Sequence, residues 1–326
     1  MAFLYEITEH KRDAHKYVTI TGFEGNTSNL VVPGEIDGIA VEAIGNHAFS
    51  GREDLLTVQL PRTIKTLFGF AFHDCRKLKK ISLYDSIDDY YDGVCRQCDS
   101  LKEIEIVMER GWYEVVRNFL ADNDRTLRFV LKIYQKGSDD GIKVSDIGAG
   151  AMGNGLATAV LTFPEYVYDF NENTMARTIQ FSIAGSGMFY RECVDRRSID
   201  YRQYDKLFEK AVIDGGEISE NIAVDRLLYP IELAENYRKM YEDFVRSAAD
   251  SILSRLIETS EEEPLNLDTV KALLTYNQSC AGEKLLPSSS IDAAIKLSAQ
   301  KKLPKMSAIL MDGTSDSGSD MVSFEF

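Results

Sequence analysis

At 326 residues the chain is too long for one ordinary core, and two or three domains are expected. Hydrophobic content of 44% and charged content of 27% are those of a soluble globular protein. A net charge of −15 repels phosphate and excludes nucleic acid and anionic membranes as general partners; the one tight basic patch, Arg76, Lys77, Lys79 and Lys80, reads as a solvated face.

The first ten residues, MAFLYEITEH, bring acids in at once and lack an apolar core of signal-peptide length. No stretch approaches the roughly 18 apolar residues of a spanning helix, so no membrane insertion is expected and the location is read as cytoplasmic. Five scattered cysteines fit free thiols in a reducing compartment. Residues 3–24, with Phe3-Leu4-Tyr5-Glu6-Ile7 and Tyr17-Val18-Thr19-Ile20, predict a hairpin.

Residues 30–106 repeat with a period of 23. Ala48-Phe49 falls on Ala71-Phe72 and on Val94-Cys95. Leu55 falls on Leu78 and Leu101, Val58 on Ile81 and Ile104, Leu60 on Leu83 and Ile106, and Ile64 on Ile87. An earlier copy, Leu30, Val32, Pro33 and Ile36, matches at an offset of 28, with the extra residues in the loop 34–41. Leu-x-x-Val-x-Leu puts alternate side chains of a short strand on one face. A single coil cannot bury that face, but stacked coils bury it against each other. The hairpin would cover one end of the stack, and the next domain the other.

Ala43-Ile44-Gly45-Asn46-His47-Ala48-Phe49 and Phe72-His73-Asp74-Cys75-Arg76-Lys77-Leu78 resemble the turn sequence of the BspA-type leucine-rich repeat family. The resemblance implies a solenoid that binds proteins or surfaces and has no activity of its own. It covers about a quarter of the chain. Members are often secreted or surface-anchored, whereas this sequence reads as cytoplasmic. The third copy departs from the pattern, with Ser86-Ile87-Asp88-Asp89-Tyr90-Tyr91 in place of Thr63-Ile64-Lys65-Thr66-Leu67.

From Gly111 the repeat is no longer visible. Residues 112–120 predict a helix with Trp112, Val115, Val116, Phe119 and Leu120 on one side. Strand-like runs follow at 127–134, 156–163 and 178–183. Phe163-Pro164-Glu165-Tyr166, Ala176-Arg177, Gly185-Ser186-Gly187, Tyr190-Arg191, Tyr204-Asp205 and Leu207-Phe208 resemble a region of uncharacterised bacterial proteins in which such repeats precede an α+β and helical portion. From about residue 201 the periodicity is helical. Residues 231–258 read as one long helix through Leu233, Tyr237, Tyr241, Phe244, Ala248, Ile252 and Leu256, with Pro230 in its first turn. Shorter helices over 267–311 would use Ile291, Ala294, Ile295 and Ile309 as core. That end is similar in style to an ankyrin or armadillo helix pair. The Gly, Ser, Thr and Asp of 312–320 predict a disordered tail.

Four motifs could carry chemistry. Gly148-Ala149-Gly150-Ala151-Met152-Gly153 matches a dinucleotide-binding loop but lacks a sound preceding strand, so it reads as a glycine loop between strands. Cys95-x-x-Cys98 could be a redox or half-zinc pair. The period places Cys98 on Cys75 and Cys95 on the phenylalanine column, which makes both inward-facing. Cys193 has no histidine in its half of the chain and reads as a structural thiol. Gly185-Ser186-Gly187 lacks the flanks of a nucleophile elbow. Arg177 and Arg191 beside it could pair with Glu165 or Asp195.

These readings combine into a multidomain α+β chain: a hairpin plus repeats over 1–110, a small α+β domain over 111–230, a helical region over 231–311 and a tail over 312–326. The leading function is a non-catalytic protein-interaction or scaffold protein. It would meet an unidentified protein through Thr57, Gln59, Lys80, Ser82, Glu103 and Glu105, which point outward between the buried positions. No cofactor, metal ligand set or catalytic constellation is assigned. One alternative is an enzyme or small-ligand sensor with a pocket in 125–230 where Arg177, Tyr190, Arg191 and Cys193 converge. Another is an adaptor working through the C-terminal helices. A homodimer through a strand edge or a bare solenoid end stays open.

Overall fold

The computed structural model describes residues 2–10, 14–134, 152–153, 156–173, 178–261, 263, 265–276 and 284–315. The chain forms two compact units, Met1–Asp214 and Gly215–Phe326.

In the first unit, β1 (Ala2–Glu9) and β2 (Lys16–Glu24) form the expected antiparallel hairpin. Next come β3 (Asn29–Val31), β4 (Glu35–Ile36), β5 (Ile39–Ile44), β6 (Thr57–Gln59), β7 (Thr66–Leu67), β8 (Lys80–Tyr84), β9 (Asp89–Tyr90) and β10 (Glu103–Met108). They sort into two sheets. One runs β1-β2-β5-β7-β9, and the other includes β3, β6, β8 and β10 as parallel neighbours. Its register pairs Leu30 with Val58, Val58 with Ile81 and Ile81 with Ile104, the columns that the period demands.

The five extra residues of the first copy form a turn of their own. Glu35 pairs with Ala40 and Ile36 with Ile39, around Asp37 and Gly38 at φ 52° and 76°. Asp-Gly with both φ values positive is the two-residue turn that matches strand twist.

A third ladder runs along the turns. Phe49 N–H donates to Ala71 O and Phe72 N–H to Val94 O, both at 2.8 Å. Each turn needs two left-handed residues. One column is His47, Phe70 and Gly93 (φ 55°, 58°, 73°); the other is Gly51, Asp74 and Gln97 (φ 72°, 58°, 63°). The apolar columns enclosed by these ladders are buried: Leu55, Ile64, Phe72, Leu78, Ile81 and Ile104 are each at most 1% exposed.

The sheet continues beyond the visible repeat. Helix α1 (Glu114–Asp122) takes the place of a turn, burying Val115, Val116, Phe119 and Leu120. It delivers β11 (Leu127–Tyr134), which pairs parallel to β10 with Ile104 beside Phe129. Leu127, Phe129 and Leu131 enter the core as a fifth coil. The spacing here is 25 residues and the turn is helical, which hides the copy in the sequence. Antiparallel β13 (Leu156–Phe163) follows, with the short β12 (Met152–Gly153) on its far side. Most of the glycine motif at 148–153 lies outside the described residues, as does Arg177.

Strands β14 (Val167–Asn173) and β15 (Thr178–Ala184) form a separate hairpin. Helices α2 (Gly187–Arg191), α3 (Tyr201–Lys206) and α4 (Phe208–Asp214) complete the unit.

The second unit holds α5 (Gly216–Leu228), α6 (Glu235–Ser247), α7 (Ala249–Glu258), α8 (Leu265–Leu274), α9 (Ser288–Gln300) and α10 (Pro304–Ser315). The expected single helix over 231–258 is two helices that begin later and part at Ala248. Glu232 stands at φ 50°, which a right-handed helix cannot continue. Ile291 and Ala294 are buried as expected, but Ile295 and Ile309 are only half-buried; Met306 and Leu310, four apart on α10, fill the core there. Helix α10 runs on to Ser315, past the expected start of a disordered tail; residues 316–326 lie outside the described residues.

Candidate partner-binding face

Between the buried columns of the parallel sheet, alternate residues form outward rows. One row is Asn29, Thr57, Lys80, Glu103 and Arg128; the next is Val31, Gln59, Ser82, Glu105 and Val130. All six residues chosen from the sequence lie in these rows, side by side in register.

The two halves of the face differ chemically. Towards β11 the charges are spent on one another. Lys80 Nζ lies 2.9 Å from Glu103 and 2.7 Å from Glu105, Arg128 lies 2.8 Å from Glu103, and Lys132 lies 2.5 Å from Glu105. Burial alone would raise the Glu105 carboxyl, but hydrogen bonds from Lys132 and Lys80 outweigh it and hold the group below its ordinary value. Burial would likewise lower Lys80, and the bonds to Glu105 and Glu103 reverse that. Thr162 and Val160 of β13, next in the rows, are buried, which closes the face on that side.

Towards β3 the face is open and nearly uncharged. Val31 is 60% exposed, Gln59 is exposed, and Leu56, just before β6, is 37% exposed. Thr57 donates to the Asn29 side-chain oxygen at 2.9 Å.

Residues 27–113 match six copies of the BspA type Leucine rich repeat region. Residues 27–113 are a BspA-type leucine-rich repeat region.

Three solved structures are similar to about a third of the chain. One is a leucine rich cell surface protein from Faecalibacterium prausnitzii, 23% identical, covering 33% of each chain at a TM-score of 0.27. A T. pallidum Leucine Rich Repeat protein is 21% identical, covering 32% of this chain and 68% of that one at a TM-score of 0.23. A leucine-rich repeat protein from Bacteroides ovatus is 14% identical, covering 33% and 48% at a TM-score of 0.20. The chain thus spans a third of the length of the first of these. No curated protein matches it.

The cysteines of the BspA-type region pack as the period requires. Cys75 and Cys98 are buried at equivalent positions, and each thiol donates to the carbonyl of the preceding coil, Phe49 O or Phe72 O, at 3.1 Å. The hydrogen bond with Cys98, and burial after it, push the Cys75 thiol well up, which suits packing and opposes thiolate chemistry. Among the described residues no group of three His, Cys, Asp or Glu could hold a metal ion. No described helix is long and apolar enough to cross a membrane.

The pocket residues of the α+β segment take structural positions. Tyr190 is fully buried, its ring edge-on to Tyr204. Cys193 is buried, which pushes its thiol up to about 12. Arg191 forms an ion pair with neither Glu165 nor Asp195. Its donors meet five carbonyl oxygens, those of Leu120, Asn123, Arg125, Pro164 and Gly187. Burial lowers its guanidinium to about 10. It also lies 4.7 Å over the Tyr166 ring. The arginine fastens the end of α1 to Pro164, just after β13, and to Gly187, the first residue of α2. A cleft of about 470 Å³ adjoins that junction, lined by Arg96, Asp99, Asn123, Arg125 and Tyr166 among others.

Two carboxylates that hold the far end of the BspA-type region were not singled out from the sequence. Asp85, 1% exposed, accepts the backbone N–H groups of Glu109, Arg110 and Trp112. Asp122 accepts from Gly93 N, Cys95 N and the Tyr90 hydroxyl. Their signal is faint, since an acid after a strand or at a helix end is ordinary surface chemistry. Only the fold turns these inward.

Proposed function

We propose that this protein is a non-catalytic interaction or scaffold protein, and that the open half of the repeat sheet, Val31, Leu56, Thr57 and Gln59, receives its protein partner. The supporting observation is the asymmetry of the face. Side chains already locked in an ion-pair network must be desolvated and rearranged to bind, whereas exposed apolar and amide groups bind without breaking anything. Lys80, Glu103 and Glu105 then act as a rigid border, and Ser82 lies at the edge of the contact. The saturated donors of Arg191 and the burial of Tyr190 and Cys193 favour the interaction reading over a ligand pocket there.

The test compares capture by the purified chain with capture by Val31→Arg and Gln59→Arg, each folded by circular dichroism. A partner held by the wild type and lost by both supports the proposal. Undiminished capture by both removes this face as the site.

A further inference from the structure

The strand β1 is the outermost strand of its sheet, and no described strand pairs with its outer edge. Three of its large apolar side chains are open to solvent: Leu4 at 46%, Tyr5 at 36% and Ile7 at 53%. Tyr5 and Ile7 lie opposite Ile20 and Val18, which are fully buried, so the apolar side of the sheet runs past its own core to this edge. An apolar edge strand of eight residues is the feature that soluble folds ordinarily pair, shorten or charge.

We propose that β1 self-associates: two copies pair antiparallel about Tyr5, joining their sheets through a two-fold axis. The choice of a second copy rests on charge and register. Between Ala2 and Thr8 the strand carries one charge, Glu6; Glu9 closes the strand, and the Tyr5 hydroxyl donates to the Asp37 carboxylate at 2.7 Å. A second β1 supplies the apolar complement of Leu4, Tyr5 and Ile7, and the register decides whether the acids are kept apart. In an antiparallel pair with a two-fold axis, residues directly opposite share a face. Centring on Tyr5 sets Phe3 against Ile7 of the other copy, Tyr5 against Tyr5, and Glu6 against Leu4. Centring on Glu6 would set two carboxylates side by side. Centring on Leu4 would shorten the paired stretch. One register therefore combines overlap, apolar contact and separation of the acids, and such an isologous contact closes on itself.

The experiment uses the full chain in high salt, where repulsion between two copies of charge −15 is screened. Light scattering after size exclusion is expected to give a mass twice 36.7 kDa at high concentration. Ile7→Lys, folded by circular dichroism, is expected to raise the apparent dissociation constant by at least about tenfold. Oxidation of Tyr5→Cys is expected to yield a covalent dimer, since opposed Cα atoms at about 4.5–5.5 Å suit a disulfide. Thr8→Cys, opposite Ala2 in this register, and the unsubstituted chain are expected to stay uncrosslinked. A mass of 36.7 kDa throughout, or crosslinking at Thr8→Cys equal to that at Tyr5→Cys, overturns the proposal.

Discussion

Phe49 and Phe72 stack one coil above the other, ring centroids 5.3 Å apart and planes within 4°. Cys95, 1% exposed, takes the next place in that column, and beyond it Asp122 receives its N–H. The stack thus ends where a small side chain leaves room for the capping helix.

Phe72→Ala is expected to cost about 3–5 kcal/mol, the range for emptying a packed aromatic site. Cys95→Phe continues the column, but it crowds the helix and is expected to cost about 1–3 kcal/mol. Urea unfolding measures both; a stabilising Cys95→Phe would show that the end of the stack has spare room.

The two left-handed columns predict unequal costs for the same change at a glycine of each. A Cβ at Gly51 meets nothing within 4 Å, so Gly51→Ala is expected to cost only the backbone strain, about 1–2 kcal/mol. A Cβ at Gly93 would lie 2.5 Å from the Phe70 ring. Gly93→Ala is therefore expected to cost more, and Phe70→Ala in the same chain should recover part of the difference. Thermal unfolding of the three variants decides it; equal costs at the two glycines would contradict the ring contact.

Asp54 ties the end of the hairpin cap to the second coil. It accepts from Arg52 at 2.7 and 2.6 Å and from Thr27 N at 2.7 Å, while Arg52 also reaches Phe23 O and Gly25 O. The hydrogen bonds from Arg52 lower its carboxyl from 3.8 to about 2. A lowered folded-state value means stability that is present above 3.8 and is lost as pH falls towards 2. Asp54→Asn is expected to lose about 1–3 kcal/mol at neutral pH and to flatten the stability profile across that acid window. A variant with the wild-type acid profile would assign the effect to another group.

Arg191 fills five carbonyl acceptors, and lysine has three donors. Arg191→Lys keeps the charge yet leaves carbonyls unmet. With two part-buried carbonyls unmet, it is expected to cost roughly 2–4 kcal/mol, at about 1–2 kcal/mol each, in the lower part of the range for buried groups. Denaturant unfolding tests this, and a neutral substitution would mean that water replaces the missing donors.

Most of the solenoid was legible because a one-dimensional core repeats its requirements. Every coil needs Leu55, Leu78 or Leu101 at one place and Val58, Ile81 or Ile104 at another, so the same residue types return every 23 positions. The fifth coil was not legible, since Phe129 follows Ile104 by 25 and α1 replaces the turn that would have marked it. The outward rows were legible too, as strand alternation follows from spacing alone.

What the sequence determined by itself was the period, the inward columns and hence the burial of Cys75, Cys95 and Cys98. Those follow from local geometry, in which position along the coil dictates side-chain direction. Only the tertiary structure decided which outward residues are available. Lys80, Glu103, Glu105, Arg128 and Lys132 come from three coils and pair with one another through contacts up to 27 residues apart in the chain. Val31, Leu56 and Gln59 carry no charge and keep exposed surface. Spacing assigns a side chain to a face, but its free charge or free surface depends on what the adjacent coils place beside it.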